Sequence, residues 1–127
     1  MTEEEIQEMP AGREMDVLVA CRVMKTYLDE PVMVDMARKG KLDRYQGDQD
    51  DVYIIGPDLY STDIAAAWKV VERMSKTNGP HGKEYACHIG GGAKGWTCQF
   101  CPGCVCHAHD AKAKTAPLVV CRAALLA

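Results

Sequence analysis

STDIAAAWKVVERM, residues 61–74, and TAPLVVCRAALLA, residues 115–127, decide the fold, because each is typical of an amphipathic helix with a start signal. Ser61 is predicted to cap the first helix, since its hydroxyl can accept a hydrogen bond from a backbone N–H of the first turn. Thr115 is predicted to cap the second, and Pro117 sits in its first turn, where the missing N–H costs nothing. Apolar residues at helical spacing predict the buried faces. They are Ile64, Ala67, Trp68, Val71 and Met74 in the first helix and Leu118, Cys121 and Leu125 in the second.

The whole chain is predicted to form one α/β (α+β) domain in which helices pack around a small antiparallel sheet. Alternating apolar residues on either side of the Gly-rich turn at residues 90–95 indicate two paired strands. The predicted helices cover residues 12–27, 62–77 and 115–127, and the predicted strands cover residues 83–89, 95–101 and 104–109. The other parts are an acidic lead-in over residues 1–10, an irregular insert over residues 29–59 with a short strand at residues 52–55, and a Cys- and His-rich hairpin over residues 98–109.

Composition excludes several classes of function. The 127 residues are 47% hydrophobic, enough for a single domain to close its own core, and carry a formal charge of −3. That acidic balance gives no general attraction for polyanions, so a nucleic-acid polymer is not an expected partner. No apolar run approaches the roughly 18 residues that a membrane span needs, and the acidic N-terminus is unlike a signal peptide. We therefore expect a cytoplasmic protein whose seven cysteines are reduced thiols or metal ligands.

The segment CQFCPGCVCHAH, residues 98–109, contains the donors for a metal ion. Zinc binds four sulfur or nitrogen ligands, and Cys101 and Cys104 have the Cys-x2-Cys spacing that lets two thiolates reach one ion. Cys106 with His107, or with His109 instead, could complete a candidate structural zinc site. A redox role is disfavoured, because this Cys-Pro-Gly-Cys lies between strands rather than at a helix N-terminus. The alternative is that the cysteines pack as small apolar side chains, above all Cys87, Cys98 and Cys121.

A second candidate site is one for an anion. Tyr60, Ser61 and Thr62 offer hydroxyls and backbone N–H groups at a predicted helix start, where the helix dipole favours negative charge. Arg22 and Arg122 could neutralise a phosphate. The alternative is that each arginine lays its aliphatic stem over the edge of the core and leaves its charge in water. No nucleophile–base pair or pair of carboxylates stands out by spacing, so we expect no enzymatic activity.

Three segments resemble the phage ABA sandwich domain family, small proteins of phages and prophages. They are AGREMDVLVACRVM (residues 11–24), YSTDIAAAWKVVERM (residues 60–74) and TAPLVVCRAALLA (residues 115–127). The resemblance implies a three-layer α-β-α sandwich, with helices flanking a small antiparallel sheet, and brings no enzymatic role with it. The Cys-rich hairpin departs from the family pattern.

A phage origin implies action in the cytoplasm of the infected host. By analogy with other small phage proteins, we expect a non-enzymatic counter-defence sponge that sequesters a nucleotide-derived immune signal, such as a cyclic nucleotide or a cyclic ADP-ribose. A homo-oligomer is expected, because a second subunit can close a shallow pocket. The alternative is a zinc-stabilised structural or adaptor protein with no small-molecule ligand.

Overall fold

A computed structural model describes residues 1–26, 29–42, 56–79, 82–102 and 110–127. The helices are α1 (Glu3–Glu8), α2 (Arg13–Arg22), α3 (Glu30–Arg38), α4 (Ile64–Ser75) and α5 (Ala116–Leu126). The strands are β1 (Tyr85–Gly92), β2 (Gly95–Pro102) and β3 (Ala111–Ala113). The predicted strands at residues 52–55 and 104–109 lie outside the described residues. The predicted fold class, an α+β sandwich with a small antiparallel sheet, is confirmed.

Helix α4 forms where it was predicted, but its cap and its buried face differ. Asp63 is the N-cap, and its carboxylate accepts a hydrogen bond from the N–H of Ala65, so the predicted cap at Ser61 is wrong. Trp68 and Ile64 are also not in the core, since they are 55% and 54% exposed. The buried face is formed by smaller side chains together with Met74: Ala66, Ala67, Val70, Val71 and Met74.

Helices α5 and α2 are the most deeply buried. In α5 the predicted inward residues Leu118 and Cys121 are buried, and Leu125 packs against the core at partial exposure. Thr115 occupies the predicted N-cap position, but its side chain makes no cap hydrogen bond. Helix α2 is buried over a wide arc, as its nearly continuous apolar sequence predicts, and every residue from Met15 to Cys21 is buried.

Two further helices lie where no regular structure was predicted. In the acidic lead-in, α1 begins with a capping box, in which the side chains of Thr2 and Glu5 each accept a hydrogen bond from the other residue's backbone N–H. Helix α3 lies in the segment expected to be irregular. It begins at the N-cap Asp29, has Pro31 in its first turn and packs against α2. The sequence therefore contained helix start signals in both places.

The sheet has the order β1-β2-β3, and both strand pairs are antiparallel. Side chains alternate along β2 as predicted, because Cys98 and Phe100 are buried while Thr97 is exposed. Strand β3 extends the same buried face with Ala111, which pairs with Cys98. Helix α5 packs against β2 and β3, and α4 packs against β1. Across the described ranges, no helix has the length and apolar character that crossing a bilayer requires.

Candidate anion-binding site

An open groove of about 620 Å³ lies between the turn joining β1 and β2, strand β3 and helix α5. We call it the basic groove. It is lined by Pro10, Ala11, residues 94–97, residues 112–114, Leu118 and Arg122. It includes one of the predicted ligand-binding residues, Arg122.

The lining of the basic groove is positively charged. Four of its residues are basic, Lys94, Lys112, Lys114 and Arg122, and none is acidic. None of the four forms an ion pair with a carboxylate of the described residues, whereas other basic side chains, such as Arg22 and Lys69, do. The groove thus concentrates uncompensated positive charge in a chain whose formal charge is −3, and such clefts attract anions.

Arg122 is fixed in place by the backbone of two distant segments. Its Nη1 donates to the carbonyl of Lys112 at 2.6 Å, and its Nη2 donates to the carbonyl of Met9 at 2.8 Å. Its Nε is buried and has no hydrogen-bond partner among the described residues. Burial lowers the pKa of Arg122, although a guanidinium stays protonated at physiological pH. The two carbonyls orient the guanidinium without neutralising its charge. A bound anion would therefore offset part of the free-energy cost of burying Arg122.

Trp96 forms an aromatic wall of the basic groove. The residue is half-buried and pairs across the sheet with Gly91 on one side and Ala113 on the other. A Cβ placed on Gly91 would lie 2.4 Å from the nearest indole atom, so the ring rests directly on the backbone of β1. Glycine is required at this position because the indole occupies the space of any side chain.

Gly95 joins the turn to the neighbouring strand. Its φ of +116° lies where residues with a side chain are strained, and a Cβ there would come within 2.9 Å of the carbonyl oxygen of Ala113. Glycine at this position therefore lets the turn that carries Lys94 lie close to β3. Strand alternation places the Lys112 side chain on the exposed face of β3, opposite to Ala111, so Lys112 meets the groove through its backbone, whose carbonyl accepts from Arg122.

The structure gives the predicted Tyr60–Thr62 site a different role. Ser61 is fully buried, and both its N–H and its hydroxyl donate to the Asp16 carboxylate, at 2.8 and 2.7 Å. Asp16 is also fully buried and forms an ion pair with Arg13 at 2.8 Å. The Ser61 hydroxyl accepts from the N–H of Gly12 at 2.9 Å. These bonds connect the segment before α4 to the start of α2. Because they use the N–H and the hydroxyl of Ser61, these two groups are not available to an anion.

Arg22 does not join Arg122 in one site. Its guanidinium forms a bidentate pair with Glu30, at 2.7 and 3.0 Å, which satisfies much of its charge. Arg22 lines a separate cavity that also contains Glu5 and Asp35. Residues 60–62 line neither this cavity nor the basic groove. The structure therefore retains Arg122 as a groove residue and separates it from the other four predicted residues.

The candidate zinc site falls mostly outside the described residues. Cys104, Cys106 and His107 lie there, while Cys101 is fully buried on β2. Within the ranges that the structure describes, no group of three or more His, Cys, Asp or Glu side chains is placed to hold a metal ion. Three other cysteines pack in or against the core as apolar residues would: Cys87, Cys98 and Cys121.

Three features of the basic groove were not predicted: Trp96, the lysines around it and the role of Gly91. The sequence contains one signal, since lysines flank both strands that meet at Trp96, in GAKGW (residues 92–96) and AKAKT (residues 111–115). The signal becomes visible only once β2 and β3 are paired, because the two segments are far apart in the sequence.

The fold and the groove define a small α+β protein with a basic surface groove. The chain belongs to the phage ABA sandwich domain family, whose sequence profile matches residues 17–125. Its fold is similar to that of a phage protein from Bacillus cereus ATCC 14579, known from a 2.0 Å crystal structure. That similarity has a TM-score of 0.57 and 22% sequence identity, and it covers 94% of this chain and 93% of the other. Comparison with curated proteins finds no match.

Proposed function

We propose that this phage protein binds a nucleotide-like anion in the basic groove and sequesters it without chemical change. The observation that carries the proposal is the groove's charge: the basic residues Lys94, Lys114 and Arg122 line it, no acidic residue does, and none of the three has an ion pair to a described carboxylate. Phosphate-bearing ligands are recognised by such fixed cations. Under this proposal the biological ligand is a nucleotide-derived immune signal of the host, of the cyclic nucleotide or cyclic ADP-ribose type.

Sequestration is favoured over catalysis by the groove's side chains. Those of the described lining residues include no carboxylate, imidazole, thiol or serine hydroxyl. A hydrolase or nuclease commonly relies on one of these as a general base or a nucleophile. Lysine and arginine supply charge and hydrogen bonds, so the groove is better suited to holding an anion than to cleaving it.

The proposal also includes a homo-oligomer in the host cytoplasm. The groove is open to solvent, and a second subunit over it would exclude water and strengthen its charge–charge interactions. Size-exclusion chromatography with light scattering, with and without ligand, tests this part. A monomer under both conditions would contradict it.

A thermal-shift screen against cyclic dinucleotides and cyclic ADP-ribose isomers tests the function, because a ligand that binds only the native state raises the melting temperature. We expect at least one of them to stabilise the protein and to be recovered intact after denaturation. Lys94→Glu combined with Lys114→Glu should abolish the shift. Lys83→Glu is a matched control, since Lys83 is exposed and does not line the groove. Degraded ligand would identify an enzyme, and the absence of any shift would refute the site.

The alternative function, a zinc-stabilised structural or adaptor protein, is supported by the Cys-x2-Cys spacing of Cys101 and Cys104. Elemental analysis of protein purified without a histidine tag separates the two functions. Zinc in stoichiometric amount, lost together with stability in Cys104→Ser, would support the alternative.

A further inference from the structure

We propose that Trp96 is the platform on which the groove stacks the base of its ligand, so that the ligand class is an aromatic nucleotide and not a bare phosphate or sugar phosphate. This inference rests on the proposed function and names the part of the ligand that the cations do not recognise.

The indole is held flat against the neighbouring strand. Three atoms of its six-membered ring lie 2.4, 2.5 and 2.7 Å from the position that a Cβ of Gly91 would occupy. The backbone of Gly91 therefore covers part of the ring, and the ring also packs against the core. An aromatic side chain fixed in this way loses little rotational freedom when a base stacks on it, and stacking makes no demand on base identity.

Basic residues flank Trp96 along the chain and across the sheet. Lys94 precedes it by two residues in the turn, and Lys114 follows Ala113, the residue paired with Trp96 on β3. All three line the same groove with Arg122. A nucleotide carries the two matching groups, an aromatic base and a phosphate. An aromatic wall beside unpaired cations therefore fits a nucleotide better than it fits an inorganic anion.

The test compares two probes that differ only in the base, adenosine 5′-monophosphate and ribose 5-phosphate. Both are titrated into the Trp68→Phe protein, in which Trp96 is the single remaining tryptophan, and binding is followed by its fluorescence and by calorimetry. Trp68 is 55% exposed, so this background change should leave the fold intact. We expect adenosine monophosphate to bind about 10- to 100-fold more tightly and to quench Trp96.

Gly91→Ala provides the critical variant and Gly92→Ala its matched control. A methyl group on Gly91 displaces the indole, whereas a Cβ on Gly92 would meet no atom within 4 Å. We expect Gly91→Ala to remove the preference for adenosine monophosphate while ribose 5-phosphate binds as before, and Gly92→Ala to keep it. Trp96→Leu should have the same effect as Gly91→Ala, and circular dichroism checks that each variant is folded.

The outcomes separate the inference from the proposed function. If both probes bind the unmodified groove with equal affinity, the base platform is refuted and the anion site stands. If the preference survives in folded Gly91→Ala and Trp96→Leu, the base is held elsewhere and the platform is likewise refuted. If neither probe binds, both the groove's function and the platform fail together.

Discussion

Replacing Asp16 by alanine should destabilise the protein strongly, because this carboxylate is the fully buried centre of a polar network. It accepts from the N–H and the hydroxyl of Ser61, at 2.8 and 2.7 Å, and from Nη1 of Arg13 at 2.8 Å. The substitution would leave both Ser61 donors and the Arg13 guanidinium without this partner. Removing one member of a buried ion pair costs about 3–5 kcal/mol.

The expected magnitude lies at the lower end of that range. The Arg13 side chain keeps 22% of its exposure, so water can compensate part of the lost charge interaction. Hydrogen bonds to a charged group contribute about 1.5–3 kcal/mol each and do not add fully. We therefore expect Asp16→Ala to lower the free energy of unfolding by about 3 kcal/mol, equivalent to a melting temperature lower by about 10 °C.

Urea denaturation of a graded set of variants checks this reasoning. Ser61→Ala keeps the backbone bond to Asp16 and should cost about 1–2 kcal/mol. Asp35→Ala is the control, because Asp35 forms an exposed i,i+4 pair with Lys39 and such pairs contribute less than about 1 kcal/mol. If Asp16→Ala destabilises the protein no more than Asp35→Ala does, the network does not hold the start of α2 to the segment before α4.

Three further predictions concern the thiols and the turn. Burial raises the pKa of Cys121 above its ordinary value of 9.0, so its stabilising contribution is complete below pH 9.0 and declines above it. The free energy of unfolding, measured by urea denaturation, should fall less between a pH below and a pH above 9.0 in Cys121→Ala than in the wild type. An equal fall in both proteins would contradict this. If the alternative function is correct, chelation should lower the melting temperature and Cys101→Ser should remove the metal, whereas metal-free folded protein would exclude it. Gly95→Ala should destabilise the protein by about 1 kcal/mol or more, because its φ is +116°, and a melting temperature equal to wild type would contradict this.

The sequence identified helix α4 and three residues of its buried face, Ala67, Val71 and Met74, but not the residue that starts the helix or the exposure of Ile64 and Trp68. Ser61, Thr62 and Asp63 are all good capping residues, and local rules do not distinguish among them. The choice is made by Asp16, which lies 45 positions away and binds Ser61. Similarly, Trp68 fits the apolar spacing. The core nevertheless takes in the smaller Ala66 and Val70 of α4, which packs against α5, and leaves the indole of Trp68 exposed.

The candidate site was predicted only in part, because contacts between distant segments of the chain bring its residues together. Arg122 could be recognised because a cation stands beside the buried stripe of its own helix. The folded sheet brings Lys94, Trp96 and Lys114 to one groove, because Trp96 pairs with Ala113 on β3. Pairing between strands leaves no local periodic signal in the sequence. In the sequence, Arg22 and Arg122 are equally good candidates for binding an anion. Only the position of α3 shows that the guanidinium of Arg22 is paired with Glu30.

The hydrogen bond from Arg122 to Met9 has a consequence for the order of folding, since it joins residues that are 113 positions apart. Contacts between such distant residues close large loops and form late compared with local hairpins and helices. During synthesis Met9 leaves the ribosome long before Arg122 is added, so the Met9 carbonyl has no guanidinium to accept from until α5 has been made. Helices α1 and α2 can form early on the growing chain, whereas the basic groove can close only after β3 and α5 have been synthesised.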